Sequence, residues 1–377
     1  MTKPIKALHI VSVDKDNYYL NNLVDYSNNS QVQYSFITLA AHSDFARSLE
    51  QRGQQVYCLD ARGRQNFPRA AKQIGKILRE EDPQIVHTHL FDPSLIGLTV
   101  AKRQGRKTVL TRHHSDAIHV IPSPVKRKIY LTLENYISRK SDHIIAPSRM
   151  VRDYLVDREG VSEKKVTIIP YGQTTERFDA VTPERIEAVR HGLGMGKNLA
   201  LVFVSRLFHR KGHVYLFEAF ANLVREGLDA TLYLVGDDEG GYQGQLQQEA
   251  AKLGITDHIV FLGWCDDALV IMSAADVIVH PSLEDALSSA VIESLMLEKP
   301  IVATDISGVR DSLDDGKYGT IVTPANATAF REGLSSVLND MDTARERARA
   351  GRLYLLGYMD ASRVADEHVK IYQSVVG

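Results

Sequence analysis

The run Leu199-Ala200-Leu201-Val202-Phe203-Val204-Ser205-Arg206-Leu207-Phe208-His209-Arg210-Lys211-Gly212-His213 decides the fold. Its first six residues are uniformly apolar and bounded by a polar turn, so Leu199–Val204 reads as a buried strand. Beyond the turn, Leu216, Phe217, Phe220, Leu223 and Val224 fall on one face of a helix that ends near Gly227. This is one β-α unit. It sets Arg206 and Lys211 at the carboxyl end of a strand, beside a helix N-terminus.

The same alternation extends both ways. Upstream strands are read at Ala7–Val13, Tyr34–Leu39, Gln55–Leu59, Ile85–Thr88, Thr108–Thr111, His143–Ala146 and Val166–Ile169. Downstream strands are read at Ala230–Val235, Ile259–Leu262, Val277–His280 and Ile301–Ala303. Helical stripes lie between them, such as Ala70, Ala71, Ile74, Ile77 and Leu78, stopped by Asp82-Pro83. Two blocks of β-α repeats predict two doubly wound parallel sheets, an α/β fold of Rossmann-like domains. The polar, glycine-bearing stretch from Thr182-Pro183 to Gly196 reads as the linker. The expected domains are residues 1–185 and 186–357, with a final helix over 358–377. Ligands of such sheets bind beyond the carboxyl ends of the strands, and the default site of a two-domain protein is the cleft between its domains.

At 377 residues the chain holds two cores of ordinary size. Hydrophobic residues make up 44%, charged residues 24%, and the net charge is −2, which argues against a nucleic-acid partner. Cys58 and Cys265 are far apart and in no metal-like spacing, so they read as reduced core thiols of a cytoplasmic protein. The opening MTKPIKALHIVSV is too short in its apolar part for a signal peptide, and no segment reads as a transmembrane span.

A basic turn alone is commonly only a solvated surface. A second block gives the turn its meaning: His280-Pro281-Ser282-Leu283-Glu284-Asp285-Ala286-Leu287-Ser288-Ser289-Ala290-Val291-Ile292-Glu293-Ser294. A strand ends at His280, a polar loop follows, and Ser288 or Ser289 can cap a helix carrying Glu293. Arg206 and Lys211, with helix N-terminal amides, suit a diphosphate. A carboxylate deeper in the helix suits vicinal hydroxyls such as those of ribose. Together they describe a nucleotide-sugar site.

These residues resemble the retaining glycosyltransferases of family 4, whose GT-B fold has two Rossmann-like domains facing across a cleft. The family pattern places Arg-Leu before Lys-Gly, and Glu-(seven residues)-Glu after Pro-Ser. Arg206-Leu207, Lys211-Gly212, Pro281-Ser282 and Glu293 match it, while Asp285 lies eight positions before Glu293 and Glu284 nine. The resemblance implies that Arg206 and Lys211 hold the donor diphosphate and Glu293 the ribose, with Ser288 and Ser289 at the same helix start. Asp285, the better match, or Glu284 would face the donor sugar. Asp82 to His89 resembles the family strand ending in His-x-His, and Thr111-Arg112-His113 its Thr-x-His. His113 is then the catalytic residue that meets the transferred sugar, preferred to its neighbour His114. His114, His89 and Asn17 stand on the acceptor side. Ala146-Pro147-Ser148, Ile168–Gly172 with Arg177-Phe178, Leu234-Val235-Gly236-Asp237 and Phe261-Leu262-Gly263 complete the series, Gly236 lying near the base. One departure stands out. Where the family carries a glycine-rich loop after its first strand, this chain has Val13-Asp14-Lys15-Asp16-Asn17-Tyr18-Tyr19, whose side chains must fill that space.

The implied activity is metal-independent, retaining hexosyl transfer from a nucleotide sugar, with uridine the commonest base and no further cofactor. The acceptor would be a glycan or lipid-linked glycan of cell-envelope polysaccharide synthesis. Rival readings are a nucleotide-sugar epimerase on a similar fold and a catalytically silent nucleotide-sugar-binding protein. Clustered His87, His89, His113 and His114 need no metal, because parallel strands end near one another. From Ala117 to Lys165 ten Lys/Arg oppose six Asp/Glu, with Lys126-Arg127-Lys128 near Tyr130, Leu133 and Ile137. This reads first as a solvated helix face. A lipid-linked acceptor would instead favour weak contact with an anionic membrane surface, at the inner face of the membrane.

Overall fold

The computed structural model describes residues 3–113, 123–238, 240–285, 288–306 and 308–377. The chain divides into two compact units, Met1–Thr174 with Met359–Gly377, and Thr175–Tyr358. The first unit runs β1 (Ile5–Val11), α1 (Tyr18–Tyr26), β2 (Val32–Thr38), α2 (Asp44–Gln51), β3 (Gln55–Cys58), α3 (Phe67–Glu81) and β4 (Ile85–His89). It continues with α4 (Phe91–Arg103), β5 (Lys107–Thr111), α5 (Pro124–Lys140), β6 (His143–Ala146), α6 (Arg149–Asp153) and β7 (Val166–Ile168). The second unit runs α7 (Pro183–Gly192), β8 (Leu199–Val204), α8 (His213–Arg225), β9 (Ala230–Val235), α9 (Tyr242–Leu253), β10 (Ile259–Gly263) and α10 (Ala268–Ala274). After these come β11 (Val277–His280), α11 (Ser289–Met296), β12 (Ile301–Thr304), α12 (Val309–Ser312), β13 (Thr320–Val322), α13 (Ala327–Asn339) and α14 (Met341–Tyr358). The last helix, α15 (Ala361–Val376), belongs to the first unit.

Both sheets are parallel, in the orders β3-β2-β1-β4-β5-β6-β7 and β10-β9-β8-β11-β12-β13. Each order reverses once, between β1 and β4 and between β8 and β11. At such a reversal the following loops run to opposite faces and leave a crevice at the carboxyl ends of the strands. The chemistry-bearing residues sit at these two points. On β1 and β4, His9 and His87 are register partners, while β8 leads into Ser205–Lys211 and β11 into Pro281–Asp285.

The first core joins Ala7, Val11, Leu20, Val32, Phe36 and Ile85 to Val364, Ala365, Val369 and Tyr372 of α15. That helix therefore completes the face of the sheet on which α1 and α2 also pack. In the second unit Leu201, Phe203, Phe217, Phe220, Leu232 and Phe330 centre the core.

Some expectations change. The expected linker from Thr182 to Gly196 contains α7, which Thr182 caps through the amide of Arg185 and which begins on Pro183. The helix buries no residue, and the division between units falls earlier, at Thr174 and Thr175. β13 was not foreseen. Cys58 and Cys265 are free, half-buried thiols in different units, and Cys58 packs against the first unit's core. Among the described residues, no helix is long and apolar enough to cross a membrane.

Candidate functional site

In the second unit the loops after β8 and β11 are locked together by backbone. Leu283 N–H donates to Arg210 O at 2.9 Å, and Gly212 takes φ +70°. A Cβ at Gly212 would stand 2.0 Å from Pro281 O, so only glycine lets the two loops approach this closely. Lys211 Nζ then reaches Asp285 Oδ2 at 2.8 Å, while Arg210 reaches Glu284 Oε2 at 3.1 Å nearer the surface. The two neighbouring carboxylates are thus separated by partner: Asp285 faces Lys211 and Glu284 faces Arg210. Arg206 is exposed just after β8. Glu293 lies in the second turn of α11, 14% exposed, with Arg177 donating to its Oε1 at 2.7 Å. Ser288 occupies the N-cap position of α11 but makes no side-chain cap bond, and Ser289 is exposed.

His280, at the end of β11, is buried with no hydrogen-bond partner for either ring nitrogen among the described residues. Burial lowers its pKa to about 4, with Asp285 opposing and Lys211 reinforcing that shift. It is a neutral ring beside the Lys211–Asp285 pair.

In the first unit the carboxyl ends of β1, β4 and β5 carry a hydrogen-bonded series of rings. Tyr171 OH lies 2.6 Å from His113 Nδ1, and His113 Nε2 lies 3.1 Å from His89 Nδ1. His89 Nε2 is 3.0 Å from His9 Nδ1, and His9 Nε2 is 3.2 Å from Tyr372 OH. Tyr372 OH is also 2.8 Å from His87 Nδ1, and His87 Nε2 is 2.8 Å from Thr111 Oγ1. Tyr19, which also meets the Thr111 hydroxyl, closes the flank: its OH lies 3.0 Å from His368 Nε2, and His368 Nδ1 donates to Val364 O at 2.8 Å. Burial holds these rings neutral: it lowers His9 to about 3 and His368 to about 4, and pushes His87 and His89 well below the ordinary value. His9, His87 and His89 also bring ring nitrogens within 4.8 Å of one another, as metal ligands would. All six of those nitrogens are already engaged within the series, so the cluster is accounted for without an ion.

His113 borders a cavity of about 470 Å³ that Phe91, Tyr130, Arg64 and Glu134 also line. Beneath it Arg112 bridges Glu134 at 2.5 Å and Glu159 at 2.7 Å. The two carboxylates, Glu159 buried and Glu134 half-buried, share that cation. Glu159 also accepts from Ser138, and Glu134 carries the strain: burial pushes its pKa to about 7 despite Arg112.

Residues 186–354 match the family described as Glycosyl transferases group 1, and residues 17–177 the one described as Glycosyltransferase Family 4. EpsD of Bacillus subtilis is 28% identical over 313 residues, 80% of each chain. A glycosyltransferase structure from Rickettsia africae superposes with a TM-score of 0.83 at 20% identity, over 100% of this chain and 99% of that one. Anabaena HepE, solved in complex with UDP, gives 0.80 at 19% identity, over 98% and 100%. The chain belongs to the family 4 glycosyltransferases. The fold is GT-B, and the activity of this class is transfer of a sugar from a nucleotide sugar.

Within this glycosyltransferase, several residues singled out from the sequence lie differently from their expected surroundings. Gly236 has its amide committed to Gly263 O at 2.8 Å, and its missing Cβ makes room for Ser205 O, which would otherwise be 1.9 Å away. The residue shapes the loop; its N–H is not turned to a ligand. Asn17 caps α1 through the Leu20 amide at 3.1 Å. His89 is buried with both nitrogens engaged, so it backs His113 and does not itself face an acceptor. His114 lies outside the described residues. The loop lacking glycine is pinned by side chains: Thr38 Oγ1 to Val13 O at 3.0 Å, Arg62 to Asp14 at 2.9 Å, and Asn21 to Asp16 at 2.8 Å. Sequence reading missed His9, Tyr171, Tyr372 and His280. A histidine inside an apolar strand, as in Ala7-Leu8-His9-Ile10-Val11, was the one signal available for His9.

Proposed function

We propose that this family 4 glycosyltransferase moves a hexosyl group from a uridine diphosphate sugar to a glycan or lipid-linked acceptor, with retention at the anomeric carbon and without a metal ion. The observation that carries the reading is the Lys211–Asp285 pair at the β8/β11 reversal. In the free protein Asp285 neutralises Lys211. A diphosphate, with greater charge, displaces the carboxylate and takes Lys211 and Arg206, which turns Asp285 toward the sugar. Glu293, held by Arg177, accepts from the ribose hydroxyls. Uridine is favoured because the structural relative HepE was solved with UDP.

Cleavage of the bond from the anomeric carbon to phosphate leaves an oxocarbenium-like sugar, and Lys211 and Arg206 stabilise the departing diphosphate. The acceptor oxygen bonds to that carbon on the face the phosphate leaves, and its proton passes to the phosphate oxygen. His113 Nδ1 meets a hydroxyl of the sugar once Tyr171 gives up its place.

For the acceptor, the cavity beside His113 offers apolar walls, with Arg64 4.7 Å above the Tyr130 ring. On α5, Val125, Ile129 and Tyr136 are exposed at helical spacing beside Lys126 and Lys128, a face suited to an anionic lipid surface. A lipid-linked substrate would be presented there.

The test is a thermal-shift panel of nucleoside diphosphates and nucleotide sugars, followed by product analysis with the stabilising donor. The reading expects uridine compounds to raise the melting temperature and a glycoside with the donor's anomeric configuration to form. Epimerised donor formed without an acceptor, or an inverted product, would sink it.

A further inference from the structure

The first unit's ring series obeys a rule stricter than ordinary packing. A neutral imidazole has one N–H and one lone pair. His89 is bonded through one nitrogen to His113 and through the other to His9, at 3.1 and 3.0 Å. It must therefore donate on one side and accept on the other. If His89 donates from Nε2 to His9, then His113 must donate from Nε2 to His89, and His9 must donate from Nε2 to Tyr372. Tyr372 then donates to His87 Nδ1, and His87 donates from Nε2 to Thr111. If His89 donates from Nδ1 to His113 instead, every link reverses and all four rings carry their proton on Nδ1. A mixed order at a link between two histidines places two protons, or none, between nitrogens about 3 Å apart, and one at Tyr372 leaves its O–H or a histidine nitrogen without a partner; either strands a buried polar group in a dry interior.

We infer that Tyr171, His113, His89, His9, Tyr372, His87 and Thr111 form one proton-ordered chain, which sets whether Nδ1 of His113 offers a bound sugar a donor or an acceptor. His89, His9, Tyr372 and His87 are thus positioning residues for His113. The chain runs through Tyr372 of α15 to Thr111 of β5, so the chemistry of a half-buried ring depends on a hydroxyl 259 positions further along, that of Tyr372. The neutrality the rule requires is supplied by burial of the inner rings. The inference builds on the proposed role of His113 toward the donor sugar.

The experiment is long-range proton–nitrogen correlation on the full-length protein, labelled with nitrogen-15 histidine, near neutral pH. His368 gives an internal reference, since its Nδ1 faces a carbonyl and must carry the proton. His9, His87, His89 and His113 are expected to share one tautomer. Opposite tautomers at His113 and His89, or an imidazolium at either, overturn the chain. Tyr372→Phe is then expected to move the His113 ring signals and to lower kcat about fivefold, the loss of one hydrogen bond, with KM for the donor unchanged. Should that buried substitution unfold the protein, Thr111→Val removes the hydroxyl beyond His87, read at His9, with which Thr111 shares no hydrogen bond among the described residues. Ring signals unmoved by either variant refute the inference. A His113→Ala variant with full activity would remove the ring from the reaction, while the shared tautomer measured in the unmodified protein would stand, so the two failures are told apart.

Discussion

Gly212→Ala tests the packing of the donor loops. The residue holds φ +70°, where an alanine costs about 1–2 kcal/mol. Its new Cβ would stand 2.0 Å from Pro281 O and 2.9 Å from Pro281 C, both backbone atoms that cannot rotate away. Relief to ordinary contact requires the loops after β8 and β11 to part by about 1.5 Å. That breaks the bond from Leu283 N–H to Arg210 O, another ~1 kcal/mol. The sum, roughly 2–3 kcal/mol, corresponds to a fall of about 4–12 °C in the melting temperature of the second unit. The larger effect is on activity. Lys211 is the adjacent residue and Asp285 follows Pro281 closely, so a displacement on the order of 1 Å lowers kcat/KM about a hundredfold. Gly254→Ala is the control: φ is +73° with nothing within 4 Å of the added Cβ, so it shows the strain without the clash and keeps full kcat/KM. Steady-state kinetics and thermal melts of both variants decide. Wild-type kcat/KM in Gly212→Ala would refute the account of how the loops are locked.

Glu293→Ala removes a carboxylate held by Arg177, and the loss of charge-assisted bonds to ribose predicts a fall of about 30-fold or more in kcat/KM for the donor. Unchanged kinetics would take Glu293 out of the site. Glu134 has a folded pKa of about 7, above the ordinary value of 4.5, so the fold favours its protonated form. Stability is therefore lost as pH rises from about 4.5 to 7, by up to roughly 3 kcal/mol. Glu134→Gln keeps an acceptor for Arg112 and is expected to flatten melting temperature across that window; an unaltered slope would contradict the assignment. Ile129→Glu on α5 is expected to abolish sedimentation with anionic vesicles while leaving transfer to a soluble acceptor intact, and equal sedimentation of both proteins would remove the membrane contact.

Most strands were legible because a buried parallel strand must be apolar throughout, and the chain marks each one with a polar carboxyl end. Leu199–Val204, Ala230–Val235, Val277–His280 and His143–Ala146 have the same limits in sequence and structure. β13 escaped because Thr320-Ile321-Val322 is too short to show a period. α7 was taken for a linker because a helix with no buried residue carries no apolar stripe, although Thr182 and Pro183 spell out its start. Motif spacing led to Lys211, Asp285 and Glu293 because these lie in the loops after β8 and β11 and in the helix that follows β11, close in sequence to the strand ends that position them. The ring series was invisible for the opposite reason. Its members come from β1, β4, β5, the loop at Tyr171 and α15, and no local pattern announces that Tyr372 will lie between His9 and His87.

The placement of α15 also bears on how the protein is made. The core that holds β1 needs Val364, Val369 and Tyr372, yet the whole second unit is translated in between. A ribosome adding 5–20 residues per second takes about 10–40 s over that interval. Throughout it Ala7, Val11, Tyr19 and Phe36 lack their covering helix, and His9 and His87 lack the hydroxyl that joins them. The part synthesised first is thus finished last. Nascent chains paused within the second unit should expose an unsealed sheet face, the kind of surface that chaperones bind.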